Sequence, residues 1–195
     1  MNYDTATGAG WGINAAKGIT GGRKGYKAAL FEGGVGVPFI ARWPGRIAAG
    51  RVDDQSLISA VDLLPTFCEI AEVKLPAGYT PDGVSQLATL QGDAAPEREK
   101  PLFWKSSAPW PAQKGKPNHW VSYAVVHQTW KLVTNKDGSH FELYALAADP
   151  YEKNDLSSER AAIVKQLQEK LEAWKATLPE KPTGDVFSAE RSALK

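Results

Sequence analysis

The sequence predicts a mixed α/β chain whose second half is an antiparallel sheet covered by a C-terminal helix. Three segments, 122–127, 130–134 and 140–146, are rich in β-branched and aromatic residues, as strands are. Between the last two lies Asn135-Lys-Asp-Gly138, a hairpin turn signal. Apolar residues at helical spacing then predict a long helix over 159–178. The order of these segments favours an antiparallel sheet packed by that helix.

The first half of the chain predicts a loop followed by a buried strand. Seven glycines lie within the first 25 residues, which is typical of a loop. Val35–Arg42 is apolar and β-branched, and this composition suits a buried strand. Pro38 lacks an amide donor, so the strand should be interrupted, bulged or at an edge. Trp43-Pro-Gly45 is expected to end it.

A short helix is predicted over 62–72. Asp62 can cap it, and Pro65 is tolerated in its first turn, where amides lack helical partners. Cys68 lies on the apolar face, so we expect a buried structural thiol. The full apolar face consists of Leu63, Leu64, Phe67, Ile70 and Ala71.

Two further boundaries can be read from the sequence. The polar run from Asp93 to Lys100 predicts a division into domains 1–98 and 99–195. In the final helix, Ser157 or Ser158 can act as the cap, and Pro179 is expected to end it. Its apolar face is predicted to comprise Ile163, Val164, Leu167, Leu171, Trp174 and Leu178.

Composition excludes several classes of function. The net charge of +1, from 23 basic and 22 acidic residues, gives no reason to expect nucleic acid or an anionic membrane as partner. No apolar stretch approaches the roughly 20 residues that span a bilayer. With one cysteine, an intramolecular disulfide and a zinc–thiolate cluster are both excluded. The N-terminus shows no signal peptide, so a periplasmic or secreted location would require one ahead of Met1.

The segment with the clearest chemical character places Lys27 five residues before Glu32-Gly33-Gly34. The two glycines permit a sharp turn. A lysine just before such a turn can present three donors and a compact charge to an anion. The alternative is a solvated surface lysine, the common fate of this residue type.

A second candidate binding element is the loop from Trp110 to Trp120, which is aromatic and basic and includes His119. Exposed loops of this composition often bind ligands, and tryptophan rings stack on sugar faces. We therefore take His119 and Trp120 as candidate substrate-binding residues. The alternative is that the tryptophans simply cover the sheet.

The residue spacing predicts no metal site. Asp53-Asp54 is a carboxylate pair in a polar loop, where a solvated turn is expected. The histidines at 119, 127 and 140 lack the i, i+4 spacing of a helical metal site. His127 and His140 are expected to be surface or packing residues at strand edges.

Several ordered motifs resemble those of type I sulfatases of the alkaline-phosphatase-like superfamily. The Lys27…Glu32-Gly-Gly…Trp43-Pro-Gly45 segment is similar to one in the C-terminal half of that family, and the resemblance extends over residues from about 20 to 178. The other matching elements are Asp62-Leu-Leu-Pro-Thr66, Asp82-Gly-Val-Ser85, Trp130-Lys-Leu132, and Leu143-Tyr144 continuing to Asp149-Pro-Tyr-Glu152-Lys-Asn154.

The resemblance implies that the chain is the C-terminal region of a sulfuric ester hydrolase with an alkaline-phosphatase-like fold. It implies that Lys27 contacts sulfate, although Lys24 remains an alternative in the register. It also implies calcium and a formylglycine nucleophile in the intact enzyme. The formylglycine matures from Cys-x-Pro-x-Arg, and Cys68 lacks both the proline and the arginine. No calcium ligand can be assigned here, since Asn2-Tyr-Asp4 has the wrong order and spacing.

The partners implied by the resemblance are a sulfated small molecule or glycan and an N-terminal sulfatase half. The isolated chain is accordingly expected to be inactive. Two other functions remain open at this point. One is a non-catalytic glycan-binding module that uses the Trp110–Trp120 loop. The other is a phosphoryl-transfer enzyme of the same superfamily.

Overall fold

The computed structural model describes residues 20–25, 29–93, 98–106 and 121–179. A four-stranded antiparallel sheet forms its centre, with the strands in sequence order from one edge to the other. The strands are β1 (Leu102–Lys105), β2 (Tyr123–His127), β3 (Trp130–Thr134) and β4 (Phe141–Ala145). The helices in the described part are α1 (Glu32–Val35), α2 (Leu63–Ile70), α3 (Leu87–Gln91) and α4 (Ala161–Lys175), with a 3-10 turn over Ala60–Asp62. The predicted mixed α/β architecture with an antiparallel sheet is confirmed.

The sheet is a simple meander in which each strand pairs with the next. Leu132 pairs with Leu143 and Lys131 with Tyr144, so these neighbouring pairs point to opposite faces. The predicted turn between β3 and β4 is present. Its Gly138 has φ +76°, a left-handed conformation that glycine adopts without strain.

Helix α4 covers one face of the sheet. Its buried residues Val164, Leu167 and Leu171 form a core with three buried residues of the sheet, Val125, Leu132 and Leu143. At the edge, the Phe103 and Trp174 rings stack with their centroids 4.8 Å apart.

Helix α4 is shorter than predicted at both ends. It begins after Arg160, with no side-chain cap. The predicted cap Ser157 is engaged elsewhere, because its amide and hydroxyl both donate to the Asp155 carboxylate. The last helical residue is Lys175, several residues before Pro179.

The opposite face of the sheet is covered by a segment from the first half of the chain. Ala29, Leu30 and Phe31 are buried and pack in one core with sheet residues that include Val133 and Tyr144. The sheet is therefore enclosed between α4 and this segment. Residues 29–31 belong to the first predicted domain and the sheet belongs to the second, so this core contains residues of both ranges. The division at residue 98 stays a prediction.

The predicted buried strand Val35–Arg42 is wrong. Residues 36–43 have no regular structure, and Val37 and Ile40 are 75% and 91% exposed. Within the described residues no strand lies alongside this run, and Pro38 removes one of its amide donors. Apolar composition alone could not supply the missing neighbour strands.

Helix α2 forms where expected, but it buries a different face. Pro65 and Thr66 are its buried residues, whereas Leu64 and Phe67 are 48% and 58% exposed. Cys68 is half-buried rather than fully buried. Within the described residues, Leu63 and Ile70 of the predicted apolar face are therefore only partly covered, and Leu64, Phe67 and Ala71 are exposed.

Asp62 is buried and does not cap α2 with its side chain. Its carboxylate instead accepts hydrogen bonds from the amides of Ser59 (2.8 Å) and Val84 (2.9 Å) and pairs with Arg98. The residue therefore joins three segments of the first half of the chain. No helix in the described ranges is long and apolar enough to cross a membrane.

Candidate functional site

The glycine turn predicted to follow Lys27 is seated on the sheet. We call residues 24–25 and 29–35 the docked turn. Its Gly33 amide donates to the Lys24 carbonyl at 2.7 Å, which closes the chain around the intervening residues. A Cβ at Gly33 would lie 2.4 Å from the Gly25 carbonyl oxygen and 2.6 Å from that of Lys24. Glycine is therefore required at this position by close backbone contact rather than by positive φ.

An ion cluster with two fully buried members, Lys131 and Glu152, holds Glu32 of the docked turn. We call Glu32, Lys131 and Glu152 the buried triad. The fully buried Lys131 Nζ lies 2.8 Å from Glu32 Oε1 and 2.9 Å from Glu152 Oε1. The Glu32 amide also donates to Glu152 Oε2 at 2.7 Å. Glu32 is thus held through both its side chain and its backbone.

The triad carries two carboxylates and one ammonium, so its formal net charge is −1. Burial raises the pKa of the Glu152 carboxyl, and the charge of Lys131 opposes that rise. The backbone of Glu152 itself has a left-handed conformation, with φ +54°. The Asp149 carboxylate organises this bend, since it accepts the amides of Lys153 and Asn154 at 2.7 and 2.8 Å.

A second polar cluster fixes the start of the docked turn. Lys24 Nζ donates to Glu142 Oε2 at 2.6 Å and to the Tyr144 hydroxyl at 2.7 Å. The same ammonium lies 4.3 Å from the centroid of the Phe31 ring. Burial, together with the hydrogen-bonded Glu142 carboxylate, raises the pKa of Tyr144, so the phenol stays protonated. Lys24 is therefore committed to contacts within the chain.

An open groove of about 1250 Å³ lies beside the docked turn. The exposed run 36–43 lines it together with Arg23, Arg51 and Tyr151. Arg51 donates to the Thr89 carbonyl at 2.7 Å and pairs with Asp53 at 2.8 Å. The hydrogen bonds from Ser56 lower the pKa of Asp53. The predicted solvated turn at 53–54 is confirmed, since both residues are exposed.

The three residues predicted to bind substrate, Lys27, His119 and Trp120, lie outside the described residues, so their roles stay predictions. The nearest described residues are Gly25 and Ala29, each two positions from Lys27, and Ala29 is buried. His127 contacts the Glu99 carbonyl at 3.3 Å, in line with its expected surface role.

Calcium needs several converging oxygen ligands. The described ranges contain no group of three or more acidic, histidine or cysteine residues able to hold a metal ion. This part of the chain therefore does not fit a calcium site, and no step is assigned to the metal here.

Sequence reasoning missed the buried triad. Lys131 lies between Trp130 and Leu132 in a strand, where a lysine is normally assigned to solvent. A signal was present, because strand alternation places Lys131 on the same face as Val133, which is apolar. What the sequence could not show was that Glu32, 99 positions away, would meet it.

Comparison with known proteins gives this arrangement a family. The N-sulphoglucosamine sulphohydrolase C-terminal family matches residues 23–177. An N-acetylgalactosamine-6-O-sulfatase of Bacteroides thetaiotaomicron is 29% identical over 153 residues, covering 78% of this chain and 30% of that protein. Human steryl-sulfatase is 29% identical over 194 residues, covering 88% of this chain and 33% of its own length. The chain thus spans about a third of these relatives.

Solved structures agree with the sequence matches. A structure from work on glycosaminoglycan metabolism by Bacteroides thetaiotaomicron superposes with a TM-score of 0.59 and 26% identity, covering 80% of this chain and 32% of that one. The match favours a sulfatase over the two other functions left open by the sequence. With the docked turn, the sheet and α4 all inside the matched span, the chain belongs to the N-sulphoglucosamine sulphohydrolase C-terminal family and has the C-terminal part of the alkaline-phosphatase-like sulfatase fold.

Proposed function

We propose that this chain is the C-terminal region of a sulfuric ester hydrolase, in which Lys27 contacts the sulfate of the substrate. The observation that carries the proposal is the docked turn. Lys24, three residues before Lys27, bonds to the sheet, residues 29–31 pack on it, and the family match includes the whole segment. A positive charge placed at the sulfate would offset negative charge that develops on its oxygens as the S–O bond breaks.

The contacts of Lys24 support Lys27 as the sulfate lysine. Lys24 and Lys27 were the two candidates, and Lys24 Nζ is already paired with Glu142 at 2.6 Å. Releasing it would leave the Glu142 carboxylate without this cation. The five-residue spacing from Lys27 to Glu32 favours the same assignment.

The substrate class we propose is a sulfated glycan or small molecule, with His119 and Trp120 contributing to the mouth of the site. A tryptophan ring can stack on a sugar face, and a histidine can donate to a sulfate or hydroxyl oxygen. One relative's name specifies a sulfated amino sugar as its substrate, which supports a glycan.

The remainder of the catalytic site would come from an N-terminal sulfatase segment. The exposed apolar side chains of Val37, Ile40 and Phe67 support this, because such residues are normally covered. The nucleophile and the calcium ligands would lie in that segment, since Cys68 lacks the maturation motif. The chain on its own should therefore show no turnover of an aryl sulfate.

Sulfate ester hydrolysis by the enzyme that contains this chain tests the proposal. Lys27→Ala should lower kcat/KM by roughly a hundredfold or more, the scale reported for loss of one such electrostatic donor. The matched control is Lys165→Ala on α4, whose side chain is 80% exposed and which should leave kcat/KM unchanged. Equal activity of the Lys27 and Lys165 variants would refute the role of Lys27. Turnover by the isolated chain would refute the missing-segment part.

A further inference from the structure

We propose that Lys131 and Glu152 are positioning residues for Lys27: they fix the docked turn, whose two parts precede and follow this lysine in the sequence, and so set its place at the sulfate. The inference rests on the proposed function, because it assumes that Lys27 contacts sulfate. Lys131 and Glu152, in the C-terminal sheet region, would thereby affect the chemistry at a sulfate site that they do not themselves contact.

The triad restrains Glu32 in more than one direction. The Lys131 ammonium holds the Glu32 carboxylate at 2.8 Å, while the Glu152 carboxylate holds the Glu32 amide at 2.7 Å. Lys131 and Glu152 are themselves fully buried, one in β3 and the other in the bend after β4. A restraint from two rigid neighbours fixes the orientation of Glu32 as well as its distance from the sheet.

The restraint on Glu32 extends to the backbone of Lys24 and Gly25. Glu32 is followed directly by Gly33, whose amide is bonded to the Lys24 carbonyl. Because a Gly33 Cβ would collide with the Gly25 carbonyl, the backbones of Gly33 and Gly25 are in close contact. A shift of Glu32 therefore moves Gly33, and with it the backbone of Lys24 and Gly25.

The triad holds Glu32 through charged groups rather than through apolar contacts. Buried ion pairs pay a desolvation penalty that an apolar contact would avoid, so they are weak devices for stability alone. Phe31 and its apolar neighbours already attach the docked turn to the sheet. What the triad adds is directional contact at Glu32, and a displacement of about 1 Å near a reacting group can reduce the rate about a hundredfold.

The first experiment measures the turn itself, in the 195-residue chain and without reference to activity. The variant is Lys131→Met/Glu152→Gln, which removes one formal positive and one formal negative charge and so keeps the formal net charge of the triad at −1. Amide hydrogen exchange at Glu32 and Gly33 should become about tenfold faster or more, as local opening becomes easier. The amides of β2 should change much less.

The matched control is Arg98→Met/Asp62→Asn, which removes another buried ion pair. Asp62 bonds to Ser59 and Val84 and makes no contact with the docked turn among its hydrogen bonds. Exchange at Glu32 and Gly33 should be unchanged in this control. If the triad variant also leaves these two amides unchanged, the inference is overturned.

The second experiment is a double-mutant cycle on kcat/KM in the intact enzyme, measured well below the melting temperature. In the enzyme that retains Lys27, the triad variant should reduce kcat/KM about tenfold or more relative to the wild type. In the Lys27→Ala background, the same two changes should cost nothing further, because their effect passes through Lys27. A purely structural role would reduce activity by the same factor in both backgrounds.

The possible failures are distinguishable. If Lys27→Ala is damaging but the triad variant is fully active, the positioning role is wrong and the proposed function stands. Equal losses in the two backgrounds also contradict the positioning role. If Lys27→Ala is silent, the proposed function fails and the inference fails with it.

Discussion

The docked turn and the run that follows it are adjacent in sequence and opposite in burial. Phe31 is 0% exposed, whereas Ile40, nine residues later, is 91% exposed. Both segments are apolar, so composition does not explain the difference. The turn packs on β2 to β4, whereas no residue of the run belongs to either buried core of the described residues. Burial of an apolar segment therefore depends on whether its neighbours are present, and the segment cannot provide them itself.

The largest expected effect is loss of the cation beneath the docked turn. Lys131→Met leaves the buried Glu152 carboxylate and the 20% exposed Glu32 carboxylate without their shared cation, which should destabilise the chain by about 3–5 kcal/mol. Glu152→Gln should cost much less, about 1 kcal/mol, since it leaves the balanced Lys131–Glu32 pair in place. Urea unfolding of both variants measures the difference. Equal losses would mean that the triad does not act as an ion cluster.

A pair of apolar truncations compares the two regions directly. Leu132→Ala, in the core beneath α4, should reduce the free energy of unfolding by about 2–5 kcal/mol. Ile40→Ala, in the exposed run, should change it by less than about 0.5 kcal/mol. Both are measured by urea unfolding of the 195-residue chain. A large effect at Ile40 would show that the run is packed after all.

The same exposed residue should become important in the intact enzyme. If an N-terminal segment covers the run, Ile40→Ala should then destabilise that longer protein by about 2 kcal/mol or more, as for a buried isoleucine. Thermal unfolding of the two variants in both lengths of protein checks this. An Ile40 effect that is small in both lengths would argue against cover by that segment.

A smaller effect is expected at the start of the docked turn. Lys24→Met keeps much of the packing against Phe31 but removes the hydrogen bonds to Glu142 and Tyr144. Because this side chain is 24% exposed, solvent can partly compensate, and we expect a loss of about 1–2 kcal/mol. Lys165→Met on α4, at 80% exposure, is the control and should be neutral. A neutral Lys24 variant would mean that its ion pair is fully offset by desolvation.

The sequence predicted the sheet region well because its signals are local. The β-branched and aromatic composition of 122–146 and the Asn135–Gly138 turn depend on residues close in the chain, and the strands formed within a residue or two of the expected bounds. The same reasoning failed for residues 36–43 and for the apolar face of α2. Their apolar pattern indicates what could be buried, but the partner that would bury it is not among the described residues.

The candidate site was predictable only in outline. The glycines after Glu32 were expected to allow a sharp turn, but Gly33 is required instead by close contact with the Lys24 and Gly25 carbonyls. The residues that hold the turn, Lys131 and Glu152, come from distant positions and could not be paired with Glu32 by spacing. A buried lysine on a strand is visible in a sequence only as an interruption of the apolar pattern, and solvent exposure explains such an interruption equally well.

The smallest expected effect is a pH dependence at the triad. Glu152 interacts electrostatically with Lys131, Glu32 and Tyr144, and Tyr144 interacts in turn with Glu142 and Asp155. Burial raises the pKa of Glu152 above its ordinary value of 4.5, so the folded chain binds this proton more tightly than the unfolded chain does. The stability of the wild type relative to Glu152→Gln should therefore be greatest below pH 4.5 and fall as the pH rises through the raised pKa. Urea unfolding of both proteins from pH 4 to 7 measures this difference, and the subtraction removes the contribution of other carboxylates. A difference that grows with pH would mean that Lys131 outweighs burial and that the pKa of Glu152 is lowered instead.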